Sequence, residues 1–535
     1  MREDRDRMIR FAMVVALLAV LGQVGPASAP PLAAQTEGQF RAYWVDSFGP
    51  GLYSEAEIDR LVADTKAANM NAIIAQIVRR ADCLCNRAKI PRTEAEIDPV
   101  PFDPLETLIH KAHAEGLEVH AWLNTTIMWA DDTPPEDPNH VFYSHGPSVR
   151  GYDNWVMLRR DGAKRGGNLT YFDPGHPAAA DYMVNMFLSI VRNYDVDGIN
   201  LDYVRYPEYI SAVNSPSWGY NAVALARFQA VTGRSDVPVP ADPQWMAWRR
   251  EQVTNIVRRV YVETSAIKPR VRVSADTITF GDIIEDPAGW TQTRAYRDVL
   301  QDWRGWMEEG ILDLNIPMNY RRERTPSSLR ALYEEWNRFI KDHQYRRHAA
   351  IGTALFLNPI DDTSAQIRKA LAPSPAGHRA KGWVGFSYRI PDLLVDRQRR
   401  QPEEGRLELA RSLTQLGEVD LPKRALRTRV PVFAGPASIP LMPWKQQPTT
   451  GHLTGRVSTL EGSLADQVRV DLYNAASNVL VASRRTDGIG WFGFIDLGPG
   501  EYRLSVEPSS KIGTASTVVS VIAGQMTSVQ LVLSR

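Results

Sequence analysis

The stretch Asp195 to Pro207, DVDGINLDYVRYP, decides the fold. Asp-Gly leads into it, Ile199 and Leu201 alternate with Asn200 and Asp202, and a burst of aromatic and charged residues closes it. An apolar core with an abrupt polar exit reads as a buried parallel strand that delivers side chains to a ligand-facing end. At about 3.3 Å per residue, Asp197 and Asp202 stand roughly 16 Å apart, at opposite ends of that strand. Asp197, beside Gly198, reads as a turn or cap at the bottom. Asp202 emerges at the top with Tyr203, Arg205 and Tyr206.

Upstream and downstream the same unit repeats. FRAYWV (40–45), AIIAQIV (72–78), LEVHAWL (117–123), VRVS (271–274), ILDLNIPM (311–318), AAIGTALF (349–356) and WVGFS (383–387) are short apolar runs, each followed by polar residues. Between them lie stretches of helical period. Ser54 with Glu57 forms a capping-box pattern, and Asp103 followed by Pro104, with Gly116 beyond the far end, brackets a second helix. Alternating strand and helix implies parallel strands with helical crossovers. Eight such units favour a closed (β/α)8 TIM barrel over an open sheet. Thr125–Gly175, long and rich in Pro, Asp, Gly and aromatics, reads as a functional loop.

From Gly451 the period changes to two, with Gly, Asp and Pro at the turns, as in a small all-β sandwich. The expected organisation is therefore a leader at 1–34, a barrel at 38–415, a linker or wrapping segment at 416–450 and a sandwich at 451–535. The leader joins Arg2, Arg5, Arg7 and Arg10 to the apolar run Phe11–Leu21, followed by small residues and prolines. That run is short for a membrane span and reads as an export signal cut near Ala34, with an uncleaved anchor as the lesser reading. A secreted, periplasmic or envelope location follows, with no integral span once the signal is removed.

Lys+Arg and Asp+Glu both number 62, so nothing suggests bulk electrostatic binding to nucleic acid. Cys83 and Cys85 are the only cysteines. A disulfide across one residue and a pair of free thiols are both open, and two such ligands do not make a zinc site. His110 and His113 share a helix without a convergent third ligand. Gly488–Gly493 spells GxGxxG but lies between strand patterns, with no helix to present to a phosphate. No cofactor and no metal are expected.

The strand ends carry more information. They present Asp46, Asn124, Asp202, Asp276, Asn319 with Tyr320, Asn358 and Tyr388. Barrel active sites lie on that face. Each residue alone could merely terminate its strand. Together, with Trp44, Trp122, Trp129 and Tyr206 nearby, they suggest a polar, aromatic-lined cleft. Carboxylates at several strand tips suit acid–base work on a glycosidic bond. Asp202 is the candidate proton donor, and no obvious carboxylate ends strand seven, where LFLNP stands.

FRAYWVDSF, GLEVHAWLN, YFDPGHPAAADYMVNMFLSIVRNYDVDGINLDYVRYP and LNIPMNY together resemble the family-10-like glycosyl hydrolases, exported bacterial barrel proteins. The resemblance spans roughly residues 38 to 395. It implies a glycan-active barrel acting on exopolysaccharide or peptidoglycan glycan strands, with Asp202 as the acid. Many relatives carry a second acidic residue where this chain has Tyr203. With an N-acetylated substrate, the acetamido group could serve as nucleophile, with Asp276 or Asp46 orienting it. Arg41, Trp44, Trp122, Asn124, Asn200, Tyr203, Arg205, Tyr206, Asn319, Tyr320 and Tyr388 are the candidate glycan contacts. A non-catalytic glycan binder and a transglycosylase on the same site are the rival readings. TDGIGWFGF with LGPGEYRLSV resembles the carboxypeptidase-regulatory-like and transthyretin-like sandwich modules, which are usually accessory.

Overall fold

The apolar runs form, in chain order, β1 (Phe40–Val45), β2 (Ala72–Val78) and β3 (Glu118–Asn124), then a hairpin of β4 (Ile127–Ala130) and β5 (Leu169–Tyr171). β6 (Gly198–Asp202), β7 (Arg272–Ile278), β8 (Leu314–Met318), β9 (His348–Ala354) and β10 (Gly382–Phe386) follow. All but the hairpin close a parallel barrel in the order β1-β10-β9-β8-β7-β6-β3-β2. The computed structural model describes residues 38–207, 218–283, 289–419, 427–506 and 513–534. The expected export signal lies outside the described residues.

Side-chain alternation sorts each strand into two layers. Phe40, Ala42 and Trp44 join Ala72, Ile74, Trp122, Leu314, Ile316, Ala350 and Val384 inside the barrel. Their neighbours in sequence, Tyr43, Val45, Ile73, Ile199, Leu201, Val273 and Ala275, face the helices in the outer core. The capping residues read from sequence hold: Ser54 accepts from Glu57 N and Asp103 from Glu106 N. Between β6 and β7 lies a further helix, Ala222–Thr232, started by Asn221 and stopped by Gly233 at φ +71°. Its apolar residues are not confined to one stripe, so helical period did not mark it. Cys83 and Cys85 are joined as a disulfide.

After the helix Pro402–Thr414 comes a short antiparallel pair, β11 (Gly417–Val419) and β12 (Arg427–Arg429). The chain then passes beneath the barrel, where Ser438 O accepts from Gln39 N at 2.9 Å and Trp444 Nε1 donates to Asp313 at 2.6 Å. The sandwich follows: β13 (Gly451–Thr459), β14 (Arg469–Asn474), β15 (Leu480–Arg485), β16 (Trp491–Leu497), β17 (Gly500–Val506), β18 (Ala515–Val521) and β19 (Met526–Leu533). They form sheets ordered β16-β13-β19 and β15-β14-β17-β18 around Leu453, Val457, Leu472, Phe492 and Leu504.

The sandwich packs directly on the barrel helices. Arg227 holds Asp466 through two bonds of 2.7 and 2.6 Å, and Arg347 holds Asp496 at 2.7 Å. The first glycine of the GxGxxG stretch sits here. A Cβ on Gly488 would meet Pro177 Cβ at 2.4 Å, so this glycine permits close packing in a β-turn. No helix among the described residues is long and apolar enough to cross a membrane.

Candidate active site

β6 and β7 are neighbours, and their register pairs Asn200 with Ser274 and Leu201 with Ala275. One step further brings Asp202 level with Asp276, about one strand spacing of 4.8 Å away. Both share the inward parity of Asn200 and Ser274, so the two carboxylates stand side by side on one wall. Asp202 is 5% exposed and Asp276 2%.

The wall is wired by hydrogen bonds. Asp202 accepts from Tyr203 N at 2.6 Å and from the Trp122 indole at 3.1 Å. Trp122 also donates to Asn124 Oδ1, which in turn accepts from Gln76 Nε2 at 3.3 Å. Gln76 Oε1 accepts from Ser47, fixing that end. Asp276 Oδ1 accepts from Asn200 Nδ2 at 3.0 Å. Tyr203 adopts φ +47°, a left-handed conformation that turns its N–H back onto the carboxylate before it.

Electrostatics divides the pair. Burial pushes the Asp202 carboxyl up to about 6, against the pull of Arg205, the Tyr203 N–H and the Trp122 indole. Burial and the neighbouring Asp202 charge raise Asp276 well above its ordinary value, with Asn200 and the Trp44 indole opposing. Two carboxylates this close cannot both ionise cheaply, so they titrate as one unit. Burial and mutual repulsion therefore both favour keeping a proton on the pair. Tyr320, buried against the same charges, has its phenol raised well above its ordinary value.

Above the pair opens a cavity of about 390 Å³. Trp44, Trp122, Tyr320 and Phe386 line it with Asn124, Tyr203, Arg205 and both aspartates. The β4–β5 hairpin region adds Ile127, Ala130, Asn168 and Leu169, so part of the long Thr125–Gly175 segment does reach the cleft. A larger hollow of about 580 Å³ lies at the opposite end of the barrel, beside Asp197, Arg272 and Pro440. Its carboxylates, Glu118, Asp195 and Asp197, share that lining with Lys268, Arg270, Arg272 and Lys445.

Several residues expected in the cleft lie elsewhere. Arg41 has outward parity and sits near the start of β1, where it donates to Asn69 O and Gly435 O at the far end of the barrel. Asn319 also points outward and donates to Tyr333 O and Asn337. Tyr388 packs on Tyr43 and donates to Asp64 at 2.9 Å, outside the barrel wall. Tyr206 is buried behind the cleft, beside Arg249. Asp46 is buried, and its Oδ1 accepts from Arg389 Nε at 2.7 Å, so it is an ion-pair partner and does not line the cavity. Asn200 lies beneath the cavity, supporting Asp276 without lining the space. Asp197 accepts from Val119 N and bonds His113 at the bottom, as a capping residue should.

Sequence reasoning overlooked Gln76, Arg79 and Phe48, which line the cavity. Gln76 had a signal: it is the lone polar residue in AIIAQIV, and it is buried. A polar side chain kept inside an apolar strand needs partners, and those partners lead to the site.

A closed parallel barrel with a buried carboxylate pair under an aromatic-walled cavity fits a carbohydrate-acting class of TIM-barrel protein. Within it, the chain belongs to the Glycosyl hydrolase-like 10 family, whose model matches residues 39–353. It is 26% identical over 437 residues to "Glycosyl hydrolase YngK" of Bacillus subtilis (strain 168), covering 77% of this chain and 75% of that one. It is 26% identical over 267 residues to "Glycosyl hydrolase DigH" of Escherichia coli (strain K12), covering 47% and 54%. Among solved structures it is similar to the PgaB (BpsB) glycoside hydrolase domain from Bordetella bronchiseptica, with a TM-score of 0.48 and 14% identity over 68% of this chain and 99% of that one.

Proposed function

We propose that the chain is an exported glycoside hydrolase that cleaves a bacterial polysaccharide by acid-assisted attack on the glycosidic bond. The observation that carries this reading is the Asp202–Asp276 pair, buried and level on adjacent strands, with burial raising both carboxyls. A general acid needs a proton that is present at working pH yet ready to leave. A buried pair whose mutual repulsion favours retention of one proton meets both needs. As it gives its proton to the leaving oxygen, the resulting double negative charge faces the positive charge growing on the sugar ring. Arg205, the Trp122 indole, the Tyr203 N–H and Asn200 favour that doubly charged state.

Both carboxylates stand on one wall, and the cavity has no other acidic side chain among its described lining residues. That arrangement supports a 2-acetamido substrate whose own carbonyl attacks the anomeric carbon, with one aspartate donating the proton and its neighbour orienting the acetamido group. A covalent sugar adduct on a protein carboxylate, found by mass spectrometry, would remove this version. The N-terminal basic and apolar run and the Cys83–Cys85 disulfide support a secreted, periplasmic or envelope location.

The deciding experiment measures product release by the mature protein from a panel of polysaccharides. The panel contains N-acetylated and deacetylated glucosamine polymers and peptide-free peptidoglycan strands, with Asp202→Asn and Asp276→Asn as controls. Release that both variants abolish establishes the hydrolase and its substrate class. Binding without release from any polymer converts the reading to a glycan-binding scaffold. New linkages among the products identify a transglycosylase.

A further inference from the structure

Two arginines in the cleft make no hydrogen bond to a carboxylate among the described residues. Arg205, in the turn after β6, is 8% exposed and lines the cavity. Its guanidinium carbon lies 4.6 Å from the centre of the Tyr203 ring, and its Nε is buried without a hydrogen-bond partner. No hydrogen bond joins it to Asp202, which accepts from the Tyr203 N–H and the Trp122 indole and feels Arg205 through space. Arg79, just past the end of β2, also lines the cavity. It donates once, to Ser47 O at 3.3 Å, and its guanidinium lies 5.0 Å from the Phe48 ring centre. The nearby carboxylates Asp82 and Asp131 bond Arg80 instead. Phe48, 59% exposed, extends this cationic surface to the mouth.

β3 lies between β2 and β6 in the barrel, so the two arginines follow the strands on either side of Trp122 and Asn124, and all four line the cavity. A neutral glycan gains little from such groups, because amides and aromatic faces serve hydroxyls and ring carbons. A polymer of free amines would be repelled. A planar guanidinium with unused donors matches a carboxylate through two parallel hydrogen bonds.

We propose that Arg205 and Arg79 select a glycan whose sugars carry carboxylate groups, with Arg205 holding the carboxylate next to the bond that is cut. The proposal rests on the hydrolase reading for the position of that bond. The carboxylate can belong to a uronic acid or to an acid ether-linked to a hexosamine, and the guanidinium chemistry is the same for both.

The test compares each polymer with its carboxyl-reduced form, in which the acids have become alcohols. One pair is peptide-free peptidoglycan strands, the other a polyuronate, and neutral N-acetylglucosamine oligomers complete the set. The full chain should lose roughly tenfold or more in kcat/KM when the carboxyls of its substrate are reduced. The pair that shows the loss names the source of the acid. Arg205→Gln should lower kcat on every polymer, because Arg205 also favours the charged state of Asp202, and should no longer distinguish native from reduced polymer in kcat/KM. Arg205→Lys should recover part of that distinction. Equal cleavage of native and reduced polymers overturns the selection and leaves the hydrolase standing. If nothing is cleaved, calorimetric binding decides. Preference for native over reduced polymer upholds the selection while the hydrolase reading falls, and equal or absent binding overturns it.

Discussion

Asn200 Nδ2 donates to Asp276 Oδ1 at 3.0 Å and to Ser274 Oγ at the same distance, beneath the cavity floor. A donor on a carboxylate oxygen favours the charged form. Asn200 therefore opposes burial and the Asp202 charge, the two effects that raise Asp276. Removing it in Asn200→Ala should raise the Asp276 carboxyl further and move the alkaline limb of the kcat profile upward. The loosened carboxylate should also cost about 100-fold in turnover, the scale of a small misplacement of a reacting group. A pH–rate profile of wild type and variant checks both. An unchanged alkaline limb would show that Asp276 is not the group titrating there.

The Asp202 carboxyl, pushed up to about 6, also makes stability depend on pH. In the unfolded chain an aspartate loses its proton near pH 3.9. Below that value both states are protonated and no charge is buried. As pH rises through about 6, the folded state must bury the charge, and up to about 3 kcal/mol of stability is lost. Asp202→Asn stays neutral throughout. Its melting temperature should exceed wild type at pH 8, and the advantage should fade by pH 4. Activity of the wild type should fall on the acid side as pH drops through about 6, because the ionised member of the pair is then protonated. Thermal melts across pH, paired with rates, test both limbs.

How far the sequence discloses this site depends on which rule is applied. The barrel was legible because eight apolar runs alternate with capped helices, and parallel strands buried on both faces need little else to be recognised. Asp202, Asp276, Trp44, Trp122 and Asn124 were legible because each stands at or near a strand exit. Strand parity would have rejected Arg41, since Phe40, Ala42 and Trp44 face inward and Arg41 cannot. Parity has no force past a strand's end, which is why Tyr206 and Tyr388 were misplaced: each follows a turn that redirects the chain. The division of protons was not legible at all. It depends on the register that sets Asp202 beside Asp276 and on full burial, neither of which a linear pattern contains.

The sandwich is fastened to the barrel by buried ion pairs. Arg347 lies almost wholly inside the interface, bonding Asp496 at 2.7 Å and Gly310 O at 3.1 Å. Removing one partner of a buried pair strands the other charge, at about 3 kcal/mol or more. Asp496→Ala should therefore lower the melting temperature of the whole chain and preserve a single transition, because barrel and sandwich share this contact. The double variant Asp496→Ala with Arg347→Met should recover stability, since no charge remains unpaired. Differential scanning calorimetry separates this outcome from two independent transitions, which would mark the sandwich as a loosely tethered module.

Tyr203 combines a backbone requirement with a side-chain one, and substitution can separate them. Its φ of +47° is a conformation that costs most residues about 1–2 kcal/mol. The same turn aims its N–H at Asp202 Oδ1, and its ring lies against Arg205. Glycine takes the backbone without strain, so Tyr203→Gly should melt close to wild type, its relief offset by a more flexible unfolded chain. It should keep the N–H on Asp202 and lose the ring, raising KM more than it lowers kcat. A β-branched residue resists this conformation. Tyr203→Val should destabilise by about 2 kcal/mol and lower kcat, because the N–H is pulled off the carboxylate. Melting curves and the KM–kcat split for the two variants test the assignment. Equal stability of the valine and glycine variants would show that the turn carries no strain.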